Sequence, residues 1–362
     1  MHRSFFEGAA DRPGRPDRAD RPRPGDPAEH PVAATARGVS RARRALVAAL
    51  PGALLAGTGG ARAQAWPSKP IRMIVGYTPG GFTDNMARAV GEPLARALGQ
   101  PVVYDYKPGA NSMIGTEMLV KSAPDGYTLT TVIAAHSANP SLYPKMAFDA
   151  QADVVPVALT GVAPLIVCAN PSFPPTTAAE MVAYVKARPG QFNFGSSGQG
   201  AAAHLAMEQF MAQHGLKMQH VPYKGTQPAL TDLIGGQIQL MFDTPLSLVP
   251  HARAGRIRSL GIANAQRLAG YPDMATMAEG GVPFDANTWS MVLAPAKTPR
   301  ELVQRLNAEI RRILESAEVR TRLESTGIVP GSGSAEDAAA FLAREVERNA
   351  RVVKAAGIKL EG

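Results

Sequence analysis

From residue 71 onward the chain alternates short apolar β runs with segments of helical period, and it does so twice. The first series predicts a strand at 71–75, a helix at 85–98, a strand at 102–106, a helix at 114–122 and a strand at 127–133. In the first helix Met86, Val90, Leu94 and Leu98 share one face, and Pro93 predicts a kink or break. The second series predicts strands at 157–169, 192–194, 219–223, 239–242 and 259–263. Helices are predicted between them at 177–188, opened by hydroxyls and closed by Pro189-Gly190, and at 201–214. Helices at 300–317 and 335–356 end the chain. Such alternation predicts an α/β fold with mostly parallel sheets flanked by helices. Two series followed by a return to helices predict two lobes joined by crossing strands, residues 66–166 with 290–362 and residues 167–289. No repeat of about 20–50 residues is present, which argues against a solenoid.

The first 65 residues have a different character. Residues 1–36 are rich in Arg, Pro, Asp and Ala without apolar period, a composition that cannot bury a core. Arg37, Arg41, Arg43 and Arg44 then precede an apolar run at 45–57, and Ala61-Arg62-Ala63 and Ala63-Gln64-Ala65 fit a small-x-small cleavage pattern. Residues 39–65 are therefore expected to be a secretory signal, cleaved after Ala63 or Ala65, with residues 1–38 a disordered or mis-assigned extension. The Arg43-Arg44 pair raises a twin-arginine route that the following residues support poorly. These 65 residues hold 11 Arg and 6 acidic groups, so they supply +5 of the formal +8 net charge. The rest is only mildly basic and has no basic cluster interleaved with aromatics, so nucleic acid is not an expected partner. The single cysteine, Cys168, excludes an intrachain disulfide and reads as an inert core residue within Leu165-Ile166-Val167-Cys168-Ala169.

Two glycine loops carry the functional signal. Tyr77-Thr78-Pro79-Gly80-Gly81-Phe82-Thr83-Asp84 follows a strand and opens a helix. Gly80 and Gly81 can take positive φ and bring backbone N–H groups close to a ligand. The helix start adds unpaired N–H groups and the positive end of its dipole, so an anion can bind without arginine. As a plain turn, the same loop would use Thr83 or Asp84 as helix cap. The second loop, Gly195-Ser196-Ser197-Gly198-Gln199-Gly200, also lies between strand and helix and adds hydroxyl donors. Its spacing fits neither a Walker A loop nor Gly-x-Gly-x-x-Gly, so no nucleotide or other cofactor is expected. One helix start on each lobe would let a ligand with a carboxylate at each end bridge a closing cleft.

The run from 67 to 358 resembles the periplasmic substrate-binding component of tripartite tricarboxylate transporters, the Bug or TctC family. The resemblance rests on Trp66-Pro67-Ser68-Lys69-Pro70-Ile71-Arg72, Pro79-Gly80-Gly81 with Thr83-Asp84, Lys107-Pro108-Gly109-Ala110 and Ala123-Pro124-Asp125-Gly126-Tyr127. Further along it rests on Asn139-Pro140-Ser141-Leu142-Tyr143-Pro144, Ser196-Ser197-Gly198, His220-Val221-Pro222-Tyr223-Lys224-Gly225 and Met241-Phe242-Asp243. It implies a type II periplasmic-binding-protein fold, a periplasmic location, a small carboxylate ligand and transporter membrane subunits as partners. The ligand classes implied are dicarboxylate, tricarboxylate, amino acid and aromatic acid, and the receptor is expected to be a monomer. The ligand site implied comprises Tyr77, Gly80, Gly81, Phe82, Thr83, Asp84, His136, Ser196, Ser197, Gly198, Ala202 and Asp243. The chain departs from the family at Thr78, where a second proline is common, and at Phe82, where a small residue is common. It also has Ala135, Ala201 and Ala202 where the family often has Thr or Ser. Fewer hydroxyls and an added aromatic imply a less polar or aromatic acid.

Other chemistries are less well supported. No His-x-x-x-His occurs, so no metal site is expected. His204, on the helix after the serine loop, reads as packing or capping. Ser197 with a histidine and Asp243 could be drawn as a triad, but Gly-x-Ser-x-Gly is absent. Asp243 would more naturally fix a ligand hydroxyl or ammonium, and as a structural residue it would cap the helix before Pro245. A binding protein rather than an enzyme is therefore expected. A sensory ligand-binding protein partnered with a membrane receptor is the alternative reading, and a periplasmic hydrolase the second.

Overall fold

The computed structural model describes residues 66–356, so the signal and the upstream extension expected from the sequence lie outside the described residues. Alternating elements build the first part: β1 (Ile71–Val75), α1 (Phe82–Leu98), β2 (Val102–Tyr106), α2 (Met113–Val120), β3 (Thr128–Ile133) and α3 (Ala135–Leu142). A long strand, β4 (Val154–Ala169), leads to α4 (Ala178–Lys186), β5 (Asn193–Ser196), α5 (Ala202–His214), β6 (Gln219–Pro222), α6 (Thr226–Gly235), β7 (Leu240–Asp243), α7 (Pro245–Arg253) and β8 (Arg258–Ala263). The chain returns through β9 (Asn287–Pro295), α8 (Arg300–Glu315), α9 (Ala317–Glu324), β10 (Val329–Pro330) and α10 (Ala335–Ala356).

The strands pair in the order β2-β1-β3-β9-β4-β7-β5-β6, with β8 and β10 also on β4. β1 is parallel to β2 and β3, and β5 is parallel to β6 and β7. These are the parallel sheets read from the strand–helix alternation. Antiparallel pairing enters through the crossing strands. β4 runs beside β9 from Val154 to Pro164, then pairs with β7 and β8 from Leu165 to Ala169. One strand therefore belongs to both halves of the sheet. Each half is packed on both faces: Met73, Val90, Leu129 and Ile310 on one face of the first half, Ile74, Trp289 and Leu342 on the other. Phe194, Phe210 and Phe242 fill one face of the second half, and Ile166, Leu233 and Met241 the other. Burial on both faces explains why these strands read as continuous apolar runs. Cys168 is fully buried in β4, which pushes its thiol pKa up and keeps it protonated.

The helix expected at 85–98 begins three residues earlier, and Pro93 does not break it. Proline removes a bond to the carbonyl four residues back. Here the Arg322 guanidinium donates to the Ala89 carbonyl at 3.3 Å, so the freed acceptor is satisfied from α9. α3, α6 and α7 were not expected from the sequence. Each carries a proline, Pro140, Pro228, and Pro245 with Pro250, and none has a clean apolar stripe.

Candidate functional site

The carboxyl ends of β1 and β5 lead through short loops into α1 and α5, β7 leads almost directly into α7, and a cavity lies where these turns meet. Its walls surround about 400 Å³ of empty space, part of it open to solvent. Of the residues expected from the sequence, Tyr77, Gly81, Phe82, Thr83, Ser197, Ala202 and Asp243 line it together. No Lys or Arg is among its lining residues.

The first wall is the turn into α1. Gly80 has φ 86°, a left-handed backbone that glycine alone takes without strain. Gly81 is extended, with φ −85° and ψ −179°, and serves as helix cap without a side-chain hydrogen bond. The first N–H groups of α1 thus have no side-chain acceptor. Asp84 points back from the cavity. Its carboxylate accepts from the Gly80 N–H (2.8 Å), from Arg88 Nε (3.0 Å) and from the Tyr106 hydroxyl (2.6 Å), which braces the loop. Tyr77 donates to Asn111 Oδ1 at 2.9 Å, and Asn111 belongs to three successive residues at positive φ, Ala110, Asn111 and Ser112. Burial pushes the Tyr77 hydroxyl pKa up, so it remains a donor.

The second wall is the serine loop. Ser196 ends β5 and turns its hydroxyl inward, donating to the Gly198 carbonyl (2.8 Å) and meeting His220 Nε2 at 2.7 Å. The hydroxyl has one proton, so when it donates to Gly198 the imidazole is the donor to Ser196. Burial, reinforced by His204, holds the His220 pKa down at about 3, which makes it a poor proton acceptor at neutral pH. His204 Nδ1 accepts from the Gly200 N–H at 2.9 Å, and the two imidazoles stack with centroids 3.8 Å apart. Ser196 and the histidines shape the loop, and Ser197 is the hydroxyl on the cavity. Ser197 makes no recorded hydrogen bond to a histidine among the described residues. Gly198 faces an adjoining outer pocket with Asn111 and Lys224. α5 starts at its cap Ala201, again without a side-chain hydrogen bond.

The third wall is Asp243 at the end of β7. Its carboxylate accepts from Thr226 Oγ1 (2.9 Å), the Thr244 N–H (2.7 Å) and Thr244 Oγ1 (3.3 Å). Burial outweighs these donors and pushes its pKa up to about 6. Thr244, not Asp243, caps α7. His136 is not among the lining residues. It is buried on α3 against the Ala150 carbonyl (2.8 Å) and Phe148, and desolvation holds its pKa down at about 4. Sequence reading missed Ile133, Leu165, Ala203, Thr226, Thr244 and Thr288. Thr226 and Thr244 directly follow Gly225 and Asp243 and could have been found from them. Thr288 sits in a strand with no local signal.

A two-part sheet sharing crossing strands, with helix starts converging between its halves, defines a two-lobed receptor of the periplasmic-binding-protein type. The chain belongs to the tripartite tricarboxylate transporter family receptors, whose family model matches residues 86–358. Protein BugT of Bordetella pertussis is 37% identical over 302 residues, covering 83% of this chain and 93% of that protein. An R. palustris protein solved with adipate is 34% identical, with TM-score 0.78, covering 81% of this chain and 99% of the other. MatC from Rhodopseudomonas palustris, solved with bound malate, is 31% identical, with TM-score 0.75, covering 79% of this chain and 99% of the other.

Proposed function

We propose that this receptor captures a small carboxylate in the periplasm, acting as a monomer, and passes it to the membrane subunits of a tripartite transporter. The observation that carries this reading is the convergence of two helix starts without side-chain caps, α1 and α5, on one cavity beside the Ser197 hydroxyl. Such N–H groups and dipole ends hold an anion without a cation. The adipate and malate seen in related proteins support an organic acid as that anion. Residues 66–166 with 290–362 form one lobe of this reading and 167–289 the other, with the acid held between them. Export through the signal at 39–65 brings the chain to the periplasm. The ligand contacts proposed are Tyr77, Gly81, Phe82, Thr83, Ser197, Ala202 and Asp243, while Gly80, Asp84, Ser196, Gly198 and His136 act by shaping the walls.

The test is calorimetry of the mature protein against a panel of aliphatic, hydroxy, amino and aromatic acids, with mass spectrometry of each acid afterwards. Saturable one-to-one binding with the acid recovered intact is expected. Consumption of the acid would replace the receptor reading with an enzyme, and binding of none would remove the carboxylate.

A further inference from the structure

Thr288 on β9 lines the same cavity, is 4% exposed, and its Oγ1 has no hydrogen-bond partner. A buried hydroxyl left unpaired is costly, and it is tolerated where a ligand supplies the missing bond. The Thr288 main chain is fixed by pairing with β4, where it lies opposite Ala163. Ile133, Leu165 and Ala203 on the same cavity carry no polar side chain, and none of the cavity's polar side chains bonds the Thr288 hydroxyl.

We infer that Thr288 contacts the bound acid, and that the site selects carboxylates carrying a hydroxyl or keto oxygen over the same acids without it. The inference rests on the carboxylate reading above and adds to it the class of acid. A threonine hydroxyl both donates and accepts, so it complements a neutral hydroxyl or keto oxygen. Asp243, on the same cavity, accepts from Thr226 and Thr244, and a neutral oxygen beside it avoids the repulsion that a carboxylate would meet at that spot. Phe82, Ile133 and Leu165 supply an apolar wall for the carbon chain.

The experiment measures binding of two acid pairs that differ only by one hydroxyl, succinate with malate and 3-phenylpropanoate with 3-phenyllactate. The proteins are the wild type, Thr288→Val and Thr288→Ser. The wild type binds the hydroxylated member of at least one pair about tenfold or more tighter. Thr288→Val abolishes that preference by weakening only the hydroxylated acid, and Thr288→Ser retains it. The ligand-free Thr288→Val protein melts at or above the wild type, because no unpaired hydroxyl is left in its core. A threonine needed only for structure would melt lower on this change and weaken both members of a pair alike. That pattern, or an unchanged preference in Thr288→Val, overturns the inference. Equal binding of both members by the wild type overturns it alone. If no acid binds, the carboxylate reading falls and this inference falls with it.

Discussion

Asp243 and His136 are both buried, and they pull stability in opposite directions with pH. The Asp243 pKa is raised to about 6, so between about pH 4 and 6 the folded state holds more protons than the unfolded one. Its contribution therefore declines as pH rises through that window. The His136 pKa is lowered to about 4, so between about pH 4 and 6.5 the unfolded state holds more protons. Its contribution is complete above pH 6.5 and is lost as pH falls towards 4. His220, lowered to about 3, acts in the same sense as His136, so the histidines prevail and stability is expected to fall on acidification. Replacing His136 with Gln removes its share, about 2–3 kcal/mol between pH 7 and 4.5. Urea denaturation at the two pH values should show a shallower acid loss in the variant. Ser197→Ala is expected to weaken acid binding about 10- to 100-fold with an unchanged melting temperature, since a hydrogen bond to a charged group contributes about 1.5–3 kcal/mol. Calorimetry beside a melting curve checks both halves of that statement. The sequence made Ser197 and Asp243 legible because each adjoins a strand-to-helix turn. It left Thr288 hidden, because a threonine in a strand is ordinary and only the folded cavity reveals its unpaired hydroxyl.

Among the elements, those with a strong apolar period were legible, α1 despite Pro93, and the proline-bearing helices without a clean stripe, α3, α6 and α7, were not. α8 and α10 read clearly because Leu306, Ile310 and Ile313, and Ala338 and Leu342, repeat on one buried face. β9 was not read as a strand, although Trp289 to Ala294 are all buried in it, because Asn287, Thr288 and Ser290 interrupt its apolar run. α10 ties these parts together. Trp289 Nε1 donates to Glu345 at 2.9 Å, Asn349 donates to the Ser137 hydroxyl at 2.8 Å, and Leu342 packs in the core beside Trp289. Leu342→Ala is expected to cost about 2–5 kcal/mol, because rigid neighbours on β9 limit collapse of the cavity. Chemical denaturation should show the midpoint falling with the slope unchanged. A loss well under 1 kcal/mol would mean that α10 repacks freely and does not brace the sheet.

At the scale of the whole molecule, the two halves of the sheet are legible as two strand–helix series, but their approach is not. It depends on contacts between residues far apart in sequence. The Thr78 N–H donates to the Lys224 carbonyl at 3.3 Å, and Gln227 Nε2 donates to the Gly80 carbonyl at 3.1 Å, so the glycine loop touches the start of α6. Gly81 lies at this contact. A Cβ added there would stand 3.1 Å from Thr226 Oγ1 and 3.3 Å from Thr226 Cβ. Its backbone is extended, so a side chain is not excluded by φ as it is at Gly80. Gly81→Val should therefore fold, but its methyl groups would wedge the glycine loop away from Thr226. Expected are a near-normal melting temperature without ligand, a larger radius of gyration by X-ray scattering in the presence of acid, and affinity reduced at least about tenfold. Gly81→Ala should fall between. Gly80→Val, in contrast, should lower the melting temperature itself, because valine at φ 86° is strained whether or not the lobes close. If Gly81→Val closed on its ligand like the wild type, the contact with Thr226 would not belong to the bound state, and the halves would meet elsewhere around the acid.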